Sequence, residues 1–431
     1  MNLWRHQGLK RYITNGSWMA AEQGLRMISG VLVGIWVARY LGPGEFGLLS
    51  YALAFSALFT VFAKLGLDGV MLRDLSMKPS QAIIYLGTAF WLKIIGAFLT
   101  LGILLVSLLI LSETLKVKIY IFIISSGVLF QSFEVIDFYF QSRVMSKYLA
   151  ICRMFQLFVS SLAKIYLILV QADLIWFVWV SMFDQLLLAT SLFVMYSHQK
   201  MSNFLSHFKL SIAKNLLKDS WPYVLSGLVV VGHMRIDQLM IQEMLGNRQV
   251  GIYSAAVRLC EVWYFLPVLI TNLVLPSIIN AKNISEDFYN KRIQMLYSIL
   301  VWFAICIALL MTFLSDWLIK LLYGQAYEEA SLVLSINIWA SVFVFFGSAW
   351  SKWMLIESRN KMSAFFQINA LLWNIGLNTL LIPKYGIYGA ALSTLISASI
   401  GHAVLPIFIK SQRIALKMLI KSFWPASIIL R

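Results

Sequence analysis

The segment LGPGEFGLLSYA, residues 41–52, has a counterpart 204 residues later in LGNRQVGIYSAA, residues 245–256. The two align without a gap and share Leu-Gly, a later Gly, a Ser and the final Ala. Gly and Ser are frequent at turns, so turn composition alone is one explanation. Both segments, however, follow the first apolar stretch in their half of the chain, which favours a parallel internal repeat.

Long apolar stretches surround both copies of this segment. The 431-residue chain is 60% hydrophobic and 13% charged, which is typical of an integral membrane protein. A spanning helix takes about 20 mainly apolar residues. We therefore predict an all-α membrane protein with about twelve transmembrane helices, at residues 14–39, 46–68, 82–111, 118–140, 149–171, 174–197, 219–244, 252–280, 293–315, 330–356, 362–382 and 386–409.

The distribution of Lys and Arg predicts the orientation. The 35 basic residues concentrate in alternate connections, and cytoplasmic loops are the ones enriched in them, so both termini are predicted to be cytoplasmic. The longest connection is basic and lies midway along the helices. We predict a six-helix N-terminal lobe at 1–200, a cytoplasmic linker at 201–218, a six-helix C-terminal lobe at 219–410 and an interfacial tail at 411–431.

Several basic residues lie inside the predicted spans. Each costs about 2.5 to 3.5 kcal/mol at mid-membrane, so most must face protein or water. Lys93, Arg153 and Lys352 lie nearer the predicted cytoplasmic ends and are expected to extend to the interface. The others are Arg26, Lys64, Lys164, Arg235 and Arg258.

Acidic residues follow or precede three of these cations at helical spacing. The same-face pairs are Glu22 with Arg26, Lys64 with Asp68, and Arg258 with Glu261. One interpretation is local neutralisation that ties the bundle together. The other is a charged cavity, which is favoured because the four helices concerned open the two halves in corresponding positions.

Arg235 and Asp237 are arranged differently. Residues two apart on a helix point about 200° apart and cannot pair with each other. Each therefore needs a partner elsewhere. We predict that Asp237 pairs with a cation such as Arg258 and that Arg235 remains as a cationic contact in a cavity.

Glu134 and Asp137 share a face of the fourth predicted helix. Two carboxylates close together in a low dielectric favour uptake of a proton, so a proton or sodium site is the functional interpretation. The alternative is that they form ion pairs with Lys164 or Arg153 on the next helix.

Other chemistries are disfavoured by the sequence. Three Cys at unrelated spacings predict no disulfide and no metal site. No catalytic constellation is present, so we expect no enzyme. The net charge of +16 is scattered between apolar segments, which favours anionic membrane lipids as partners and argues against nucleic acid.

The runs ARYLGPGEFGLLSYA at residues 38–52 and RIDQ at residues 235–238, followed by LGNRQVGIYSAA, resemble the polysaccharide transporter family. These are the Wzx-type O-antigen flippases of the multidrug/oligosaccharidyl-lipid/polysaccharide (MOP) exporter superfamily. The resemblance covers nearly the whole chain. It implies two MATE-like lobes around a central cavity with alternating access. It also implies an undecaprenyl-pyrophosphate-linked glycan as cargo, moved across a bacterial inner membrane, with membrane lipids and a polymerase or other polysaccharide-assembly proteins as partners.

On this resemblance we assign roles to the charged residues as a hypothesis. Glu134 and Asp137 would couple transport to H⁺ or Na⁺, and no other cofactor is expected. A drug or cation antiporter and a peptidoglycan lipid-precursor flippase are the alternatives. A polymerase or ligase would need a large external loop, which the predicted topology lacks. The predicted cargo contacts are Arg26, Lys64, Arg235 and Arg258, with Glu22, Asp68, Asp237 and Glu261 as their charge partners.

Overall fold

The computed structural model describes residues 3–199, 203–357, 359–409 and 412–424, with the backbone alone at 3–15, 360 and 361. Helices make up nearly all of these residues, and no strand occurs among them. The predicted all-α class is therefore confirmed.

The first helix, α1 (Leu3–Lys64), is interrupted at Gly42, which has φ 69° and ψ 169° and is followed by Pro43. This backbone region is open essentially to glycine alone. Gly246, the equivalent position of the sequence repeat, has φ 83° and ψ −179°. The repeated sequence therefore also repeats a backbone conformation, because the same two glycines end a helix in the same way.

The described chain divides into two compact units. The first contains the residues up to Leu41 and Leu48–Val231, and the second contains Gly42–Gly47 and the chain from Gly232 onward. After α1, the first unit contains α2 (Leu67–Met77), α3 (Ala82–Ile110), α4 (Leu115–Ser126), α5 (Val135–Ser142), α6 (Ser146–Leu169), α7 (Leu174–His198) and the first part of α8 (Leu210–Leu245).

The second unit takes the rest of α8. Its other helices are α9 (Asn247–Glu261), α10 (Phe265–Ile284), α11 (Glu286–Leu322), α12 (Ala330–Asn337), α13 (Ala340–Ile356), α14 (Asn360–Tyr385), α15 (Ile387–Ser399), α16 (Leu405–Phe408) and α17 (Arg413–Ser422). Short 3₁₀ segments occur at Pro79–Gln81, Gly127–Glu134, Val262–Tyr264 and Gln325–Tyr327, and a π-helical turn at Ile400–Val404.

Eleven helical segments in the described ranges are long and apolar enough to cross a membrane. The first, Gly16–Met77, has 62 residues, about three times what one crossing needs. The break at Gly42 divides it into two passes. The twelve passes that result match the predicted number.

The predicted second span, residues 46–68, is wrong at its end. Leu65 and Gly66 have φ of 54° and 62°, so α1 stops at Lys64 and α2 begins at Leu67. A Cβ on Gly66 would lie 2.6 Å from the carbonyl oxygen of Ser220 on α8. The turn therefore needs glycine both for its backbone angles and for this close approach.

Two predicted non-spanning segments contain helix. Part of the predicted linker, 201–218, lies outside the described residues, but its second half is helical because α8 begins at Leu210. The predicted tail, 411–431, contains α17, and residues 425–431 lie outside the described ranges. Gln294 on α11 donates hydrogen bonds of 3.0 Å to the carbonyl of Met418 and to Ser422 Oγ, which hold α17 against α11.

Aromatic packing in the first unit fixes the helices that carry its charges. Phe90 on α3 packs edge-on against Phe133, with ring centroids 5.0 Å apart, and against Phe204 at 5.7 Å. Lys93 lies one turn after Phe90, and Glu134 directly follows Phe133. The apolar contact thus brings a cation and a carboxylate on separate helices to the same level.

Candidate functional site

Seven intramembrane charges of the first unit form one group, made of two sets of ion pairs that interact electrostatically through Glu134 with Arg153 and Asp137. Four cations surround three carboxylates, so the group carries one excess positive charge if all are ionised. We call it the unit-1 charge cluster, and it consists of Glu22, Arg26, Lys64, Lys93, Glu134, Asp137 and Arg153.

One half of the cluster is built around Glu22 and Asp137. Glu22 is buried and contacts the guanidinium of Arg26 one turn along α1, as predicted. Arg153 on α6 lies 3.8 Å from Glu22 and 2.5 Å from Asp137. Gln141 also donates to Asp137, at 2.6 Å. Arg153 therefore bridges two carboxylates on different helices.

The other half of the cluster is built around Glu134. Lys93 Nζ lies 3.1 Å from one carboxylate oxygen of Glu134, and Lys64 Nζ lies 4.0 Å from the other. Lys93 is only 2% exposed. A lysine so buried requires a counter-charge, which Glu134 supplies.

These contacts correct three expectations. Lys93 and Arg153 do not extend to the interface, because each has a carboxylate partner inside the bundle. Lys64 does not pair with Asp68, because the turn at Leu65 and Gly66 breaks the helix between them. Asp68 is exposed in the first turn of α2 instead.

Glu134 and Asp137 both have basic partners, so the alternative interpretation is partly confirmed for this pair. Asp137 takes Arg153, whereas Lys164 pairs with Asp184 at 3.1 Å. Glu134 ends the 3₁₀ segment Gly127–Glu134, a tighter backbone that often marks functional positions. Their assignment to ion coupling stays a prediction.

In the second unit, Arg235 and Asp237 have separate partners, as the sequence predicted. Arg235 pairs with Glu261 at 3.2 Å and keeps a partly exposed side chain. Asp237 is 5% exposed and accepts hydrogen bonds of 2.6 Å from three neutral groups. Those groups are Tyr253 Oη on α9, Asn378 Nδ2 on α14 and Thr394 Oγ1 on α15.

Arg258 is not the partner of either acid that was predicted for it. Its guanidinium lies 5.2 Å from the ring centroid of Phe46, a cation–π contact. Glu261 forms its ion pair with Arg235. Asp237 accepts hydrogen bonds from neutral donors. The spacing of Arg258 and Glu261 permitted a pair, but a helical side chain leans toward its own N-terminus, and here it meets an aromatic face.

Two groups of residues at these positions escaped sequence reasoning. The partners of Asp237 are neutral residues on helices far along the chain, although Asn374 and Asn378, four apart in an apolar span, were an available signal. The pairing of Lys93 with Glu134 had no local signal, because 41 residues separate them.

The described chain has a MATE-like, multi-pass helical fold. A multidrug resistance MATE family transporter of the MOP superfamily, solved inward-facing, gives a TM-score of 0.69 over 91% of this chain and 95% of its own, at 13% identity. The lipid II flippase MurJ, in an inward closed conformation, gives a TM-score of 0.52 over 95% of this chain and 91% of its own, at 16% identity. At these identities the likeness concerns the fold alone.

The chain belongs to the polysaccharide biosynthesis protein family, whose model matches residues 36–332. It is 23% identical over 201 residues to capsular polysaccharide biosynthesis protein CapF of Staphylococcus aureus, which is 46% of this chain and 51% of that protein. It is 24% identical over 191 residues to a putative O-antigen transporter of Shigella flexneri. This alignment covers 43% of this chain and 44% of that protein. The chain spans about half the length of these relatives. The predicted resemblance is confirmed at the level of the family.

Proposed function

We propose that this protein is a flippase for an undecaprenyl-pyrophosphate-linked oligosaccharide, an O-antigen or related surface-glycan unit. The cargo moves from the cytoplasmic to the outer leaflet of a bacterial inner membrane by alternating access. The cations of the unit-1 charge cluster contact the pyrophosphate, and the lipid tail stays in the bilayer. No catalytic step and no cofactor are required, and membrane lipids and polysaccharide-assembly proteins are the partners.

The single observation that carries this proposal is the excess of cations in the unit-1 charge cluster. Glu22, Glu134 and Asp137 neutralise three of its four basic groups. Arg26 has a side chain that is 46% exposed, and that of Lys64 is 38% exposed, so both retain unused donors. A pyrophosphate is the type of group that such donors bind, and Arg suits bidentate contact with it.

The physical problem of the cargo agrees with this charge balance. A pyrophosphate cannot cross about 30 Å of hydrocarbon without replacing its water by other donors. Fixed cations supply that replacement. Arg235 in the second unit, held by Glu261 and still partly exposed, is the further cation that we assign to the cargo, whereas Arg258 is engaged with an aromatic ring.

Two alternatives share the fold and differ in their cargo. A cation or drug antiporter would need a site with net negative charge, whereas the unit-1 charge cluster has an excess of cations. A flippase for the peptidoglycan lipid precursor would need the same cations. The names of the two relatives, a capsular polysaccharide protein and a putative O-antigen transporter, support a surface-glycan unit instead.

The test is transport by the purified protein in proteoliposomes. The probe is undecaprenyl-pyrophosphate bearing a fluorescent N-acetylglucosamine, and arrival in the opposite leaflet is read by loss of fluorescence to an impermeant quencher. The Arg26→Ala/Lys64→Ala variant should flip the probe at least about tenfold more slowly, because a hydrogen bond between charged groups contributes about 1.5 to 3 kcal/mol.

Lys291→Ala is the matched control, because Lys291 is an exposed cation paired with Asp287. It should transport at the normal rate. Ethidium efflux without flipping of the glycolipid would instead identify a drug antiporter, and flipping of lipid II alone would identify the peptidoglycan precursor. Equal rates for the double variant and the control would remove the cluster from the mechanism.

A further inference from the structure

Three turns of the second unit follow long helices that cross the membrane in the same direction. Gly246, Gly324 and Gly386 come after α8, α11 and α14, and their φ values are 83°, 88° and 62°. One returning pass separates each of these helices from the next, so the three turns belong to the same side of the bilayer. With both termini cytoplasmic, as the distribution of Lys and Arg predicts, that side is the outer one.

A polar pocket lies within the second unit where these three turns meet, and we call it the outer pocket. Its volume is about 360 Å³. Sites for small ligands span roughly 300 to 1,000 Å³, so it has room for one small ring. Its polar lining residues are Arg248 after the first turn, Gln325, Glu328, Glu329 and Ser331 after the second, and Tyr388 after the third.

Ion pairs orient the charged groups of the outer pocket without using all of their hydrogen-bonding capacity. Arg248 lies 3.6 Å from one carboxylate oxygen of Glu329, and Gln249 Nε2 donates to the other at 3.3 Å. Lys320 Nζ lies 3.1 Å from Glu328. The side chains of Arg248 and Glu329 are 60% and 39% exposed. A guanidinium has five donors and a carboxylate about four acceptor positions, so both groups can also bind a ligand.

We propose that the outer pocket binds one uncharged sugar residue and thereby selects the glycan. That this sugar belongs to the cargo rests on the proposed transport function, whereas binding of a free sugar does not. Cations that hold a pyrophosphate make the same contacts whatever sugar is attached. A pocket that hydrogen-bonds particular hydroxyls rejects analogues that lack them, because its own polar groups are then left unpaired.

The lining of the outer pocket matches the chemistry of a sugar ring. Hydroxyl groups both donate and accept hydrogen bonds. Glu328 and Glu329 provide acceptors for them, and Arg248 and Gln325 provide donors. Tyr388 is half-buried and interacts electrostatically with Glu329. The face of its ring carries partial negative charge and can therefore attract the C–H groups of a sugar.

Other classes of ligand fit the outer pocket less well. An anionic ligand would meet the carboxylates of Glu328 and Glu329. A calcium ion takes about six to eight oxygen ligands, and here both carboxylates already have basic partners. A stable protein partner would cover about 800 Å² of this protein, of which the outer pocket is only a small part. An uncharged ring with several hydroxyls agrees with both the size of the pocket and its balanced charge.

Binding of a free sugar can be measured without transport. The probes are the methyl glycosides of glucose, galactose, mannose, rhamnose and N-acetylglucosamine, and saturation-transfer NMR of the full chain in lipid nanodiscs detects their binding. At least one of them should bind, and Tyr388→Ala should weaken that binding about twofold to tenfold. Tyr385→Ala is the matched control, because Tyr385 is an exposed tyrosine of the same turn that does not line the outer pocket. It should bind as the wild type does.

Glu329→Gln provides a second variant if Tyr388→Ala does not fold. It removes a charged acceptor and should weaken binding about tenfold, whereas Glu243→Gln, at an exposed carboxyl shortly before Gly246, should not. Binding of none of the glycosides by the wild type, or equal binding by both variants and their controls, overturns the proposal.

Flipping of the fluorescent glycolipid separates this proposal from the proposed function. Normal flipping by a protein that binds none of the glycosides would remove the sugar site and leave the flippase. Binding of a glycoside without any flipping would defeat the proposed function and leave the sugar site. Loss of surface polysaccharide in Tyr388→Ala cells, with glycoside binding and flipping unchanged, would overturn selection of the glycan in favour of a protein partner at this surface.

Discussion

Gly47 and Gly251, equivalent positions of the sequence repeat, pack backbone to backbone and reciprocally. A Cβ on Gly47 would lie 1.8 Å from the carbonyl oxygen of Asn247, and a Cβ on Gly251 would lie 1.9 Å from that of Pro43. Each glycine thus approaches the residue that precedes the other by four positions. Segments 42–47 and 246–251 therefore cross reciprocally, at a distance that only glycine permits.

Gly47→Ala should destabilise the protein. The added methyl meets main-chain atoms, which cannot move aside as a flexible side chain would, and overpacking typically costs about 1 to 3 kcal/mol. The melting temperature of the detergent-solubilised protein, followed by size-exclusion fluorescence, should fall by several degrees. Gly251→Ala should have the same effect because the contact is reciprocal.

The control for this crossing is Gly102→Ala on α3. No atom lies within 4 Å of a Cβ built at Gly102, so this substitution should be neutral or slightly stabilising. Melting temperatures that are equal for Gly47→Ala and Gly102→Ala would contradict the close crossing.

Lys93 and Glu134 should behave as a buried ion pair. Removal of one partner leaves an uncompensated buried charge, so Lys93→Met should lower stability by about 3 to 5 kcal/mol. The double variant Lys93→Met/Glu134→Leu should recover much of that stability, since an apolar pair can replace a buried ion pair. Melting temperatures of the single and double variants measure the coupling.

Lys291→Met breaks an exposed ion pair of a lysine with a carboxylate and should change stability by less than about 1 kcal/mol. Transport by the double variant Lys93→Met/Glu134→Leu provides the second readout. This variant should remain slow in flipping the glycolipid even when it is stable. Recovery of transport together with stability would mean that this pair is purely structural.

Arg235→Ala should slow transport about tenfold while the protein still inserts and folds. The substitution removes the partly exposed guanidinium that we assign to the anionic head of the cargo, and a hydrogen bond between charged groups contributes about 1.5 to 3 kcal/mol. Flipping of the fluorescent glycolipid, normalised to reconstituted protein, measures the effect.

Glu261→Gln separates orientation from cargo contact. It keeps the cation and weakens only the partner of Arg235, so transport should fall less than for Arg235→Ala. If the two substitutions are equally damaging, Arg235 serves the packing of the second unit and not the cargo.

Glu357 should make stability depend on acid pH. It lies between α13 and α14, outside the spans, and accepts from Lys282 Nζ at 2.5 Å and Tyr289 Oη at 3.0 Å. Burial acts to raise the pKa of this carboxyl, but these hydrogen bonds and the charge of Lys282 outweigh it and lower the pKa below the ordinary value of 4.5.

A depressed carboxyl pKa stabilises the fold above the unfolded-state pKa, and the contribution disappears as the pH falls through the folded-state pKa. Wild-type melting temperature should therefore drop below about pH 4.5. Glu357→Gln should be less stable at neutral pH and lose less on acidification. Glu243→Gln, at an exposed carboxyl, should follow the wild-type curve. An identical acid response in Glu357→Gln would refute the assignment.

The sequence determined the helical class and the positions of the passes because hydropathy is a local property. It also identified the repeat, since Gly42 and Gly246 are required by a backbone conformation that other residues avoid. That Arg235 and Asp237 have separate partners was also predictable, because helix geometry alone sets the angle between side chains two residues apart.

Partners across helices were not predictable from local spacing. Lys64 and Asp68 are four apart, yet a turn at Leu65 and Gly66 intervenes. Asp237 needed a partner, and sequence reasoning chose a cation, because opposite charge is the only signal that a single sequence offers. Neutral donors such as Asn378 and Thr394 carry no such signal until the helices are packed.

The sequence by itself therefore determined where the chain crosses the membrane, where it repeats and which charges must be sheltered. Only the tertiary structure decided which group pairs with each buried charge. Burial in low dielectric demands that each charge be satisfied, but helices separated by tens to hundreds of residues supply the groups. That packing pairs Lys93 with Glu134 and leaves Asp237 to hydroxyl and amide donors.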